Sequence, residues 1–230
     1  TLLAMDIDPS AQTQPLFPMA CAARDGNLEM IRLLHAHFSL LQRPKSKSPL
    51  SWAIWTGKVA AIELLLEWGA DPDAADGNGW TPMHDAADQT RDDIAALLFT
   101  AGASPHLSDT FGNTPISVAT LRRRNSPMVR FLLAQGGVPI PPGLMTRLCR
   151  FAETEDADLI RVLLEAGADP AERVDGRSAR EHLRARGQHV LLQLLDAALP
   201  PPPRPPNASP ARQRGRQQSA GNDDHDLDFD

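Results

Sequence analysis

The sequence predicts an all-α solenoid, built from helix pairs stacked side by side, and three observations predict it. First, one segment recurs: Ser48, Thr81 and Thr114 lie 33 residues apart, as do Gly69 and Gly102. Second, each of these hydroxyl residues is followed by a proline, Pro49, Pro82 or Pro115. The hydroxyl suits an N-cap, where it accepts from an orphan helix N–H, and proline suits the first helical position, where a missing N–H costs nothing. Third, the copies close on a glycine followed by a polar turn, as in Gly-Ala-Asp-Pro at Gly69 and Gly167. Glycine takes the left-handed conformation that ends a helix.

Each unit has the same internal order. A short helix carries small residues, Ala22 and Ala23, Ala53, Ala86 and Ala87, or Ala119, which let neighbouring helices approach closely. A break follows, marked by Gly26 and Gly57. A second helix then carries an apolar stripe, Ile62, Leu64, Leu65 and Leu66 in one copy and Ile94, Leu97, Leu98 and Phe99 in the next. One such pair cannot bury its apolar face, so stability requires stacking. Gly136 comes 34 residues after Gly102, which implies one inserted residue. Weaker copies begin at Phe17, Thr146 and Asp175, giving six units between about Pro15 and Leu199. The predicted organisation is an N-terminal arm over 1–13, a repeat domain over 14–199 and a disordered tail over 200–230.

The pattern resembles the ankyrin repeat family. Thr81-Pro82-Met83-His84-Asp85-Ala86-Ala87, the Gly-Ala-Asp-Pro turns and the period near 33 carry the resemblance. It covers about four fifths of the chain and is weakest in units one and five. Unit five places Arg147 where the family prefers Pro and Glu155 where it prefers Gly. The resemblance implies β-turn tips and inner helices that line a concave groove for a partner protein. It also implies that His84 bonds within and between the tips rather than acting in catalysis. Ser51 and Ser117 hold the same slot in the adjacent units, which a catalytic site would not require.

The groove residues expected from this register are Asn78, Trp80, Phe111 and Asn113 at the tips. On the inner helices they are Trp52, Trp55, Asp85, Asp88, Gln89, Leu121 and Arg122. Trp80 and Phe111 are aromatics at positions where the repeat does not demand one, and aromatics are enriched in interface hot spots. The competing reading is that each folds onto a neighbouring unit. Asp85 is read either as a solvated face or as a partner contact. Arg122, Arg123 and Arg124 suit an acidic partner and equally suit a helix end with negative dipole. Trp68, just before a terminating glycine, is expected to pack on the outer surface.

Composition narrows the function classes. A net charge of −6 argues against general nucleic-acid binding. Cys21 and Cys149 are too far apart in sequence to form a metal-ligand motif, and two cysteines are no disulfide framework. No apolar run suggests a membrane span. His35 and His37 point to different faces of a helix, and the acidic end Asn222-Asp223-Asp224-His225-Asp226 lacks the glycine and terminal glutamate of a calcium loop. No catalytic or nucleotide-binding motif is found, and no cofactor is expected. The proline run after Leu199 reads as an extended spacer or a polyproline ligand. The sequence therefore predicts a non-enzymatic, cytoplasmic, bacterial adaptor that is monomeric alone and binds another protein. An inhibitor or immunity-type protein, or the accessory region of a larger enzyme, stands as the alternative. The chain starts at Thr1 rather than Met, which suits a piece of a longer protein.

Overall fold

The computed structural model describes residues 16–37, 47–135 and 139–198. The expectations for the arm over 1–13, for Gly136 and for the tail over 200–230 lie outside the described residues. Twelve helices are described: α1 (Leu16–Asp25), α2 (Leu28–His37), α3 (Pro49–Trp55), α4 (Val59–Glu67), α5 (Pro82–Asp88), α6 (Asp92–Thr100), α7 (Pro115–Leu121), α8 (Ser126–Ala134), α9 (Leu144–Cys149), α10 (Ala157–Glu165), α11 (Ala179–Ala185) and α12 (His189–Ala198). They form six successive pairs. The odd-numbered helices make an inner row, in which α1 packs on α3, α3 on α5, and so on to α11. The partners α6, α8, α10 and α12 stack likewise as an outer row, as do α2 and α4.

The caps form as the residue types dictate, with one exception. Ser48 Oγ accepts from the Ser51 N–H at 3.1 Å, and Pro49 opens α3. Thr81 and His84 cap α5 reciprocally: the Thr81 hydroxyl faces the His84 N–H, and His84 Nδ1 accepts from the Thr81 N–H at 3.1 Å. Thr114 sits at the N-cap of α7 but makes no bond to a helix N–H; its hydroxyl instead pairs with the Ser117 hydroxyl at 3.2 Å.

The inner alanines Ala23, Ala53, Ala86, Ala87 and Ala119 are fully buried, so the helices meet closely. From the outer row, Ile62, Leu65, Ile94, Leu98, Val129, Leu132, Ile160 and Leu163 fill the space between. Each such side chain contributes roughly 1.5–3 kcal/mol by leaving water. Trp68, half-buried against this core, stacks on His35 with ring centroids 4.1 Å apart, which ties α4 to α2 as the outer-surface reading expects. The Asp-Pro turns are stapled locally: Asp71 Oδ1 accepts from the Asp73 N–H and Asp169 Oδ1 from the Ala171 N–H.

Two departures from the sequence register have clear causes. The inserted residue lies between α7 and α8, where four residues join the helices instead of the three that join α5 to α6. Unit five begins three residues earlier than the sequence suggested. Gly143, not a residue near Thr146, is the N-cap of α9, so Leu144 rather than Arg147 takes the place of the usual proline. Thr146 then falls in the slot held by His84, and its hydroxyl donates to the Glu172 carbonyl at 2.7 Å. The three extra residues this creates are absorbed in a 3₁₀ turn, Thr154–Asp156, before α10.

The tip of unit six is a true hairpin, β1 (Arg173–Val174) paired antiparallel with β2 (Arg177–Ser178). Its two-residue loop, Asp175-Gly176, has φ of 52° and 77°. Asp-Gly is the pair that tolerates this doubly left-handed turn.

Candidate partner-binding site

The tips of units three and four are built by one repeated device. Asp76 Oδ1 accepts from the Asn78 and Trp80 N–H groups at 2.8 and 3.0 Å. One unit on, Asp109 Oδ1 accepts from the Phe111 and Asn113 N–H groups at 2.9 and 2.8 Å. Against the pull of burial, hydrogen bonds from Asn113 and Phe111 hold the Asp109 carboxyl below its usual range. The two tips are joined directly, because the Thr110 N–H donates to the Asn78 carbonyl at 2.8 Å. That approach requires Gly79: a Cβ there would lie 3.1 Å from Asp109 Cα, and φ is +76°.

His84 fastens the same pair of tips from below. Its Nε2 lies 2.9 Å from the Asn113 carbonyl, while Nδ1 accepts from Thr81. The ring is therefore a neutral imidazole with its proton on Nε2. Burial holds its pKa below the usual value, against the Asn113 carbonyl and the charges of Asp109, Asp85 and Asp76. This is the structural role expected for it.

The groove beneath the tips has a volume of about 480 Å³. It is lined by Lys47, Trp55, Asp76, Asn78, Trp80, Asp88, Asp109, Phe111, Asn113 and Arg122. Seven of the eleven residues expected from the sequence thus meet in one place: Trp55, Asn78, Trp80, Asp88, Phe111, Asn113 and Arg122. Phe111 stands 81% exposed at the summit of its tip, and Trp55 is 46% exposed at the end of α3. The Lys47 ammonium lies over the Trp55 ring, 4.6 Å from its centroid.

Other expected residues have different positions. Trp80 is only half-buried at the groove wall and is not a free aromatic. Its Nε1–H donates to Asp85 Oδ1 at 2.9 Å, and its ring tilts over His84 at 5.0 Å. Asp85 is fully buried rather than on a solvated or contacting face. Its Oδ1 also receives the Lys47 ammonium, and its Oδ2 is buried with no hydrogen-bond partner among the described residues. Burial raises the Asp85 pKa, opposed by Lys47, Trp80 and Ser51. Asp88 is also buried, held by Arg123 at 2.8 Å and more loosely by Arg122 at 3.5 Å. Trp52 and Gln89 are half-buried and do not line the groove, and Leu121 packs partly against the core. The arginine run is divided. Arg122 and Arg123 face Asp88, whereas Arg124 pairs with Asp156 at 2.6 Å and caps the Phe151 carbonyl. Lys47, Asp76 and Asp109 line the groove but were not among the groove residues expected from the sequence. The two aspartates carried a signal, since they stand 33 residues apart and each precedes a glycine-bearing tip.

Family models described as "Ankyrin repeats (3 copies)" and "Ankyrin repeat" match residues 1–76 and 78–110. The chain carries ankyrin repeats. The fold agrees: an ankyrin repeat domain from Acinetobacter baumannii AYE superposes with a TM-score of 0.70 at 24% identity, covering 79% of this chain and 97% of that one. Among curated proteins, the 2-5A-dependent ribonuclease of Mus musculus is 41% identical over 76 residues, 33% of this chain and 10% of that protein. Protein phosphatase 1 regulatory subunit 27 of Mus musculus is 33% identical over 95 residues, 40% of this chain and 62% of that protein. The matched segments span only 10% to 20% of the length of several such relatives. The α7–α12 units lie beyond the residues that the family models match. Among the described residues, no helix is long and apolar enough to cross a membrane.

Proposed function

We propose that the chain is a non-catalytic protein-interaction module that receives a segment of another protein in the groove between its tips and inner helices. The observation that carries this reading is Phe111, 81% exposed beside the part-exposed Trp55 on a groove of about 480 Å³. An aromatic so placed contributes nothing to the core. It loses its contact with water only when something covers it, which is how hot-spot aromatics behave. Tip and groove are rigid before any partner arrives, because Asp76, Asp109 and His84 have already fixed the loop, so binding loses little ordering entropy. An adaptor role in the cytoplasm is the simplest form of this function.

Two neighbouring readings have specific support. Resemblance to a protein named as a phosphatase regulatory subunit favours a regulator or inhibitor of an enzyme, an immunity-type protein included. Resemblance of this chain to a tenth of a ribonuclease favours an accessory region of a larger protein. The test is differential capture. Wild-type chain and Phe111→Asp are immobilised side by side, and bound proteins are compared by mass spectrometry. The groove reading expects one or more proteins held by wild type and lost from the variant. Identical captures on both would overturn it.

A further inference from the structure

A second recess lies beyond the end of α7, on the inner row between units four and five. It has a volume of about 230 Å³ and is lined by Leu121, Arg124, Arg147, Leu148, Arg150 and Phe151. Three arginines and three apolar residues make the wall, and no carboxylate does. In a chain of net charge −6 this is a local reversal of sign.

The repeat does not demand these arginines. At the ends of the inner helices of units two and three the corresponding stretches read Trp55-Thr56 and Asp88-Gln89. The three guanidinium groups differ in commitment. Arg124 is used structurally, in its pair with the buried Asp156. Arg147 is exposed and has no ion pair or hydrogen bond among the described residues. Arg150 makes one ion pair among the described residues, with Asp175 at 3.4 Å, and both of those side chains are more than half exposed. An exposed pair of that kind is worth little and exchanges readily.

The apolar half of the recess is equally unspent. Leu148 is buried and forms the floor, Leu121 is half-buried, and Phe151 is 59% exposed with Arg150 5.5 Å above its ring. The volume holds one large apolar side chain. Two exposed guanidinium groups flank it, Arg147 without a pair among the described residues and Arg150 in its loose contact with Asp175.

We propose that this recess receives an acidic peptide segment of a partner protein. An apolar side chain of the peptide enters between Leu121, Leu148 and Phe151, and carboxylates on either side of it pair with Arg147 and Arg150. The inference goes beyond the groove reading and does not depend on it, because the groove's lining residues and these six have none in common.

The test uses synthetic fluorescent peptides with a central leucine flanked by Asp and Glu, by Ser and Gly, or by Lys, read by anisotropy against the whole chain. The acidic peptide is expected to bind best and to weaken with added salt. Arg147→Gln with Arg150→Gln is expected to lower its affinity at least about tenfold, the scale of losing close charge pairs at an interface. The melt should stay unchanged, since neither arginine holds the fold. Phe151→Ser is expected to weaken the acidic peptide but not its salt dependence. Binding of the acidic peptide no better than of the Ser/Gly peptide overturns the proposal, as does equal binding by the double-arginine variant. A short single-stranded DNA that binds more tightly than the acidic peptide, and is lost in the same variant, overturns it in favour of a phosphate-backbone site.

Discussion

His84 is neutral in the folded chain because burial keeps its pKa below the usual value of an exposed imidazole. The linkage follows from this direction. Between the unfolded value of about 6.5 and the lower folded value, the unfolded chain binds a proton that the folded chain does not, so stability falls as pH falls through that window. His84→Gln should therefore cost about 1–3 kcal/mol near neutral pH, the range for a disrupted buried hydrogen bond. The variant should also lose less further stability between about pH 7 and about pH 5.5 than wild type does. Melts at the two pH values check both effects. A wild type and variant with parallel pH responses would mean that His84 is not buried neutral. Asp85 has the opposite sign. Its raised pKa means that its contribution to stability is present below about 3.8 and is lost as pH rises through the folded value. The sequence made His84 legible because Ser51 and Ser117 share its slot. It did not make Asp85 legible: an acidic residue on an inner helix reads as exposed unless its partners are known, and Lys47 is 38 residues away.

At the level of elements, the break between the helices of a pair uses a left-handed residue in five of the six units, unit five turning through the 3₁₀ segment Thr154–Asp156 instead. Gly26, Gly57 and Gly187 supply it with φ of 71°, 69° and 69°, but unit three uses Thr90 at 55° and unit four Arg124 at 51°. A β-branched residue in that conformation is strained by about 1–2 kcal/mol. Thr90 is exposed, and among the described residues no hydrogen bond of its side chain compensates. Thr90→Gly should accordingly raise stability by about 0.5–1 kcal/mol, the strain relieved less the extra entropy of an unfolded glycine. A denaturant melt showing a loss would contradict the strain assignment. On the outer row, Leu65→Ala or Leu98→Ala should cost about 2–5 kcal/mol, since both side chains are buried. A loss under about 1 kcal/mol in either variant would place the wrong face inside. Units two and three were legible because Thr-Pro or Ser-Pro and the closing glycine bracket each helix pair. Unit five was misplaced by three residues because it lacks that proline, and Thr146 imitates an N-cap while standing three positions into the helix. The Asp175-Gly176 hairpin was legible in principle but was read only as a generic tip.

Over the whole array, the distinction that matters is between Trp80 and Phe111. They were expected to behave alike, yet they sit at different heights on equivalent tips. Phe111 matches Asn78 at the summit, whereas Trp80 matches Asn113 at the base, where the backbone turns down into the helix and the Asp-Gly loop directs the side chain inward. Position within the 33-residue period, not residue type, decides which aromatic is free. The register thus brings both aromatics to one groove, where Trp80 forms part of the wall, the alternative that the sequence left open for it. The central claim is that Trp55 and Phe111 bind while Trp80 builds, and the most direct test measures partner affinity and thermal melt together in two variants. Trp55→Ala with Phe111→Ala should weaken the captured partner by about 2 kcal/mol or more and leave the melt within about 0.5 kcal/mol of wild type. Trp80→Ala should lower the melt, because it strips Asp85 of a hydrogen bond and uncovers His84. Full affinity in the first variant, or an unchanged melt in the second, would contradict the account.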